Sequence, residues 1–367
     1  MTQQQEADYC ADMAWAVPAH TRGAVDRAGA ALVADRGTGP PNIEWVEAYF
    51  AALDVINNWR AAHAFPLNTF QSTLQKKARA IDAQALVAQR TKRLASIDAK
   101  LRNEPWLRLS RMQDIGGCRA IMPSMAGVRA LVRSYERSEL KHEWVGKDDY
   151  IEEPRESGYR GVHLKYRYFS DKQTTYNGLR IEVQIRTALQ HEWATAVETV
   201  GTLVRQSLKA SQGSDEWLRF FALMGTWMAV QEKTTRVVGT PSDNDELKKE
   251  IRHYAQILDV ANRLNNYASV VRIIEDPTVR RRRTEFTYFL VVLDPSATQT
   301  VEVIPYGVYE LAQATEEYSR REEMVRVTPG GEAVLVAVED MVSLRRAYPN
   351  YFLDTNAFVA EVGKAIA

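Results

Sequence analysis

The sequence predicts an α/β or α+β protein. A mixed sheet with flanking helices fills the first part, and a helical connector leads to a second, smaller α/β unit. Three observations predict it. The runs 162–169 ("VHLKYRYF") and 179–187 ("LRIEVQIRT") alternate apolar and polar residues with a period of two, the pattern of half-buried strands. A short apolar strand, "IGGCRAIM", and a helix, "MAGVRALVRSYE", come before them, so strands and crossover helices intermix. Three further strand-like runs, "EFTYFLVVLD", "QTVEVIPY" and "EAVLVAVED", fall in the last third of the chain.

Taken in order, the first forty residues hold short Ala-rich, helix-compatible pieces that end at "GTGPPN". From Ile43 to about Arg60, residues Trp45, Tyr49, Phe50, Leu53 and Ile56 recur at helical spacing. A second helical stretch is expected over 67–103, with "FPLN" as its start. The strand at 115–122 and the helix at 125–136 follow. Then come "HEWVGKDDYIEE", the strand from Val162, a turn at Asn177 and Gly178, the strand to Thr187, and a long helix from Ala188. Beyond Ala210, residues Trp217, Phe220, Phe221, Met224, Trp227 and Met228 form a dense apolar helical face. "GTPSDND" ends it and offers Ser242 or Asp243 as the cap of a helix reaching about Val271. The expected division is 1–210, a connector over 211–272, and a C-terminal unit over 273–367.

Composition narrows the function. A length of 367 residues favours two or three domains, and 45% apolar with 26% charged residues is ordinary for a globular protein. The 47 basic and 47 acidic residues cancel, so any nucleic-acid or membrane partner must rest on a local patch. Cys10 and Cys118 supply neither a disulfide framework nor zinc-ligand spacing. The polar N-terminus lacks a signal-peptide core, and no apolar run is long enough to span a bilayer. A cytoplasmic protein with no membrane partner is expected.

Chemistry gathers at four places. Asp114 stands just before the strand at 115. Glu182, Gln184 and Arg186 form a polar row on the strand at 179–187, whose other face is apolar. Such a row is either a solvated sheet face or the wall of a phosphate-and-metal site. "AQRTKRLASIDAKLRN" carries Arg90, Lys92, Arg93, Lys100 and Arg102, with Arg93 and Lys100 seven apart and so on one face of a helix. A basic face of this kind is either solvated or holds a polyphosphate or nucleic-acid backbone. Tyr159 lies between Gly158 and Gly161, beside Arg155 and Arg160, where the backbone can turn sharply or approach another group. The run "VRRRR" at 279–283 reads as a solvated loop, and no Walker-type phosphate loop is present.

"RTKRLASIDAKL", "MQDIGGCRAI", "ESGYRGVHL" and "RIEVQIRT", in that order and spacing, resemble the synthetase domain of the RelA/SpoT family over roughly 70–205. The resemblance implies a nucleotidyltransferase-like mixed sheet and transfer of pyrophosphate from ATP to a ribose 3′-hydroxyl, with Mg2+. It implies that Arg90 and Arg119 sandwich the adenine, and that Lys92, Arg93 and Lys100 hold the ATP phosphates. Asp114 is implied as a metal ligand. Glu182 is implied to help hold the metal and to accept the hydroxyl proton. Tyr159 is implied to stack on the acceptor base, with His163, Gln184 and Arg155 on the acceptor side. A lysine is common where Arg155 stands and a serine where Gly161 stands, so the departures fall on the acceptor side. The hydrolase half of long family members is absent, so synthesis without hydrolysis is expected.

The C-terminal extension resembles the CapRel group of fused toxin–antitoxin proteins in phage defence. That resemblance implies a metal-free, zinc-finger-like C-terminal domain restraining the synthetase, with Tyr348 and Tyr351 of "AYPNYF" blocking the ATP site. It implies the 3′ CCA end of tRNA as acceptor, held by the basic stretch from Lys76 to Arg111, and release by a phage protein that binds the C-terminal unit. The alternative is a (p)ppGpp synthetase acting on GDP or GTP with a regulatory C-terminal domain. A non-catalytic RNA-binding or signalling module is a third reading, against which Asp114, Glu182 and Arg119 count.

Overall fold

The computed structural model describes residues 15–34, 43–203, 215–270, 272–275, 286–294, 300–326, 328, 331–352 and 354–367. "GTGPPN" and "VRRRR" lie outside them. The helices are α1 (Arg22–Val33), α2 (Ile43–Ala62), α3 (Ala64–Ile81), α4 (Leu94–Asn103), α5 (Met125–Glu136), α6 (Ala188–Leu203) and α7 (Asp215–Glu232). They continue as α8 (Asn244–Ile257), α9 (Val260–Val270), α10 (Leu311–Arg326), α11 (Met341–Ala347) and α12 (Asn356–Ile366). The strands are β1 (Leu86–Thr91), β2 (Gly116–Met122), β3 (Glu143–Asp149), β4 (Val162–Arg167) and β5 (Arg180–Thr187). β6 (Arg272–Glu275), β7 (Phe286–Asp294), β8 (Thr300–Gly307) and β9 (Glu332–Ala337) complete them.

All nine strands among the described residues join one sheet, in the order β3-β4-β5-β2-β1-β9-β7-β8-β6. β2 and β5 run parallel, with Gly117 opposite Glu182 and Arg119 opposite Gln184. β4 pairs antiparallel with β5 and sets His163 opposite Gln184. On β5, Ile181, Val183 and Ile185 enter a core shared with α2 to α5, so the Glu182, Gln184 and Arg186 face is left for chemistry.

The expected helix over 67–103 is corrected. α3 stops at Ile81, Asp82 turns extended, and Leu86–Thr91 becomes strand β1, paired antiparallel with β2. Val87 and Ala88 are buried on opposite faces of that strand, which is why the short run lacks helical periodicity. The expected helix to Val271 is split into α8 and α9 at Asp259, whose φ is +48°. Asp243 caps α8 by accepting from the Asp245 and Glu246 amides.

The zinc-finger-like C-terminal fold is also corrected. β9 pairs with β1 through Gln89 opposite Ala337 and Arg90 opposite Val336, and β7, β8 and β6 extend the same sheet. No cluster of three or more metal-ligating side chains occurs among the described residues. Apolar burial on both faces holds this part instead. Tyr288, Leu290 and Val292 pack on α10, while Phe289, Val291, Val334 and Val336 pack on Leu344, Tyr348 and Tyr351. Behind β1, a cavity of about 50 Å³ is lined by Arg60, Gln89, Tyr318 and Leu335, among others.

Candidate active site

Asp114 sits at the mouth of β2, where the Lys92 amide donates to the Ile115 carbonyl at 2.8 Å and draws the end of β1 alongside. Its carboxylate accepts from Lys92 Nζ at 2.6 Å and from Lys100 Nζ at 3.2 Å. Burial raises the Asp114 pKa, but the two ammonium groups outweigh it and hold the acid below the usual carboxylate range.

Glu182 is buried at the middle of β5. Its Oε1 faces His163 Nδ1 at 3.0 Å, and its Oε2 accepts from Gln184 Nε2 at 2.7 Å. Gln184 Oε1 accepts from Arg119 Nε at 3.3 Å, and His163 Nε2 meets the Tyr159 hydroxyl at 2.7 Å. One polar chain therefore runs from Arg119 through Gln184, Glu182 and His163 to Tyr159. Burial lowers the His163 pKa, yet Tyr159 and Glu182 lift it to about 10, so the imidazolium donates to both. Burial raises Glu182 and His163 lowers it, with a net shift below the ordinary glutamate value. The Asp114 charge opposes that shift.

Tyr159 is half-buried between Tyr150, His163 and Trp193. Gly158 makes this possible. Its φ is +94°, and a Cβ there would stand 2.7 Å from the Phe221 carbonyl on α7. Arg160 turns away from the site and is buried against α7, donating to the Gly225 carbonyl. Arg155 is exposed and reaches the site through Tyr150, on whose ring it stacks at 4.5 Å.

The donor-side cations meet the C-terminal tyrosines. Arg90 Nη1 donates to the Tyr351 hydroxyl at 2.8 Å. Arg119 lies 5.9 Å over the Tyr348 ring and Arg93 5.9 Å over the Tyr351 ring. Arg186 is buried beside Arg119 and Arg90, and burial with these like charges holds its guanidinium well below the ordinary value. Arg93 and Lys100 do not share a helix face. Arg93 is the N-cap of α4 and pairs with Glu332, whereas Lys100 points to Asp114.

Sequence reasoning missed Arg60, Tyr150, Glu322 and Glu332, and placed Arg186 in the polar row without a role. One signal was available. α10 buries Ala314, Tyr318, Glu322 and Val325, so Glu322 stands at a core-spaced position in a helix whose other glutamates face outward.

Residues 89–200 match the family described as a region found in RelA / SpoT proteins. The chain is 33% identical to the GTP pyrophosphokinase YjbM of Bacillus subtilis over 111 residues, which is 30% of this chain and 52% of that protein. It is 27% identical over 134 residues to an uncharacterized protein of Mycobacterium tuberculosis, covering 36% of this chain and 46% of that one. The chain thus spans about half the length of the curated relatives it matches. Small alarmone synthetase 2 of Bacillus subtilis aligns with a TM-score of 0.41 at 19% identity, over 48% of this chain and 93% of that one.

These findings correct the expected tRNA acceptor and the fused toxin–antitoxin reading with its phage trigger. The named curated relative is a GTP pyrophosphokinase. Part of the basic stretch assigned to tRNA is also engaged within the protein: Lys77 donates to Ser134 and Ser138, Lys92 and Lys100 to Asp114, and Arg93 pairs with Glu332. Arg79 and Arg102 pair with Glu339 and Asp98. No described helix is long and apolar enough to cross a membrane. Over residues 89–200 the chain carries the region found in RelA / SpoT proteins, on the strands that bear Arg90, Arg119 and Glu182.

Proposed function

We propose that the protein is an ATP-dependent pyrophosphokinase that transfers the β,γ-pyrophosphoryl group of ATP to the ribose 3′-hydroxyl of GDP or GTP, with residues 273–367 as a regulatory part. The observation that carries this reading is the grouping of Lys92, Lys100 and Asp114 just before β2, alongside Glu182 on the paired strand β5, within the matched family region.

Glu182 serves as the base. Its lowered pKa keeps it ionised near neutrality, and His163 and Gln184 fix its orientation while each oxygen retains a lone pair for the acceptor hydroxyl. The 3′-oxygen bonds to the β-phosphorus, the bond from that phosphorus to the α-phosphate oxygen breaks, AMP departs and the proton passes to Glu182. Lys92, Lys100 and Arg93 bind the phosphates, Arg90 and Arg119 flank the adenine, and Tyr159 carries the acceptor base with Arg155 at the rim. Stacking of that kind contributes about 1–3 kcal/mol per base. Asp114 and Glu182 are the carboxylates that would hold Mg2+, an ion commonly held by one or two carboxylates plus substrate phosphates. When bound, the ion would neutralise charge on the phosphates. Tyr348 and Tyr351, seated on Arg119 and Arg90, support a closed resting state in which the place of the adenine is taken.

The test is a comparison of acceptors. The purified chain, and a variant carrying Tyr351→Phe, are incubated with ATP, Mg2+ and GDP, GTP, ADP or bulk tRNA, and products are separated by ion-exchange chromatography. A pyrophosphorylated guanine nucleotide is expected. Its absence from both proteins would overturn the reading.

A further inference from the structure

Arg60, near the C-terminal end of α2, is only 3% exposed and lies outside every motif that suggested the site. Its Nε donates to the Lys92 carbonyl at 2.9 Å, directly behind the proposed phosphate lysine. Its other nitrogens reach the Glu322 carboxylate at 2.8 and 3.2 Å, with Tyr318 also in contact. Glu322 is 7% exposed, and its Oε1 accepts from the Leu94 amide, the first residue of α4, at 2.8 Å. One residue earlier, Arg93 pairs with Glu332 at the start of β9. Arg93 caps α4 without donating or accepting through its side chain at the helix end.

Two carboxylates from the C-terminal region are therefore seated on two arginines and a helix N-terminal amide: Arg93 and Leu94 directly follow Lys92, and Arg60 is bonded to its carbonyl. Forked guanidinium contacts and first-turn amides are the groups that bind phosphoryl oxygens. A glutamate at a core-spaced position of α10 is poorly placed for any apolar purpose, and its partners are donors suited to an oxyanion.

The geometry points to a masked anion cradle: Arg60, Arg93 and the Leu94 amide bind the triphosphate of ATP in the working enzyme, and Glu322 and Glu332 take the place of its phosphates in the closed one. This rests on the pyrophosphokinase reading and deepens it. Arg60 becomes a nucleotide-binding residue, and closure becomes competitive with ATP along the phosphates as well as at the adenine. By linkage, whatever releases α10 and β9 raises ATP affinity, and ATP in turn favours release.

The experiment is calorimetric titration of the full chain with α,β-methylene-ATP and Mg2+, with thermal unfolding recorded for each variant. The paired substitutions Glu322→Gln and Glu332→Gln keep shape and remove charge. They are expected to tighten binding by about tenfold or more. Adding Arg60→Gln to that pair is expected to reverse at least half of the gain on a logarithmic scale. An anchoring role alone predicts no reversal, and that result overturns the assignment of Arg60. Should the paired variant fail to fold, Glu332→Gln alone, at the more exposed pair, is read in the same way. Unchanged affinity in the glutamine variants, with binding still abolished by Lys92→Ala, overturns the cradle and leaves the pyrophosphokinase reading standing. Binding that is insensitive to Lys92→Ala in every variant overturns that reading itself.

Discussion

Replacing Tyr351 by phenylalanine removes a single hydroxyl from the contact between the C-terminal region and the proposed adenine site. The ring is 0% exposed and packs with Leu344, Tyr348 and Val336, so it stays in place. What is lost is the acceptor of the 2.8 Å bond from Arg90 Nη1. A hydrogen bond to a charged group contributes about 1.5–3 kcal/mol net. Arg90 is half-buried, so water replaces part of it, and the lower figure of about 1.5 kcal/mol applies. Since about 1.4 kcal/mol is a factor of ten, the closed state weakens roughly tenfold. While closure dominates, apparent affinity for the nucleotide rises by a similar factor. Alanine would be a poorer probe, because losing a buried aromatic side chain costs about 3–5 kcal/mol and confounds folding with release. The assay is titration with α,β-methylene-ATP and Mg2+ beside a thermal melt. Affinity within twofold of the parent, at an unchanged melting temperature, would refute the idea that Tyr351 restrains the site.

Three further outcomes are expected. His163→Gln removes the imidazolium that lowers the Glu182 pKa, so the acid limb of the kcat/KM pH profile moves upward; a limb that stays in place contradicts the role given to His163. His63 is buried, with Nδ1 donating to the Trp59 carbonyl at 2.7 Å, and burial pushes its pKa from 6.5 to about 4. That depressed value gives stability that is present above pH 6.5 and lost as pH falls towards 4. The loss is about 3 kcal/mol across the window, and denaturant titrations of His63→Asn should show a correspondingly flatter slope there. Gly158→Ala forces a Cβ to 2.7 Å from the Phe221 carbonyl at a φ of +94°, and should cost about 2 kcal/mol or more in thermal unfolding; a neutral effect would mean that the approach of this loop to α7 is dispensable.

Local pattern made much of the fold readable. The alternation in 162–169 and 179–187 located β4 and β5, the cap at Asp243 placed the start of α8, and the Gly158 reading anticipated a close backbone approach. Strand register sets the residues of the four motifs on the neighbouring strands β1, β2 and β5 and at their ends, where Lys92 and Lys100 meet Asp114. What failed depended on distant partners. β1 is a strand because β2 and β9 flank it, and β9 lies nearly 250 residues further along. The second α/β unit was visible, but not that its strands would extend the first sheet. Arg60 and Glu322 are separated by 262 positions, and neither belongs to a motif. The acceptor was misassigned because it followed the resemblance of the C-terminal extension, and of the basic stretch meant to hold it the folded protein spends Lys77, Lys100 and Arg93 on internal partners.

In the proposed reaction Asp114 and Glu182 act together while two phosphoryl groups move at once. Phosphorus NMR of a reaction holding ATP, GDP and Mg2+ tests it most directly, because AMP and ADP are resolved as products. The Tyr351→Phe variant is predicted to form AMP and a 3′-diphosphorylated guanine nucleotide in equal amounts, and the same protein with Glu182→Gln to form neither. Accumulation of ADP and inorganic phosphate instead, or an undiminished rate with Glu182→Gln, would contradict the account.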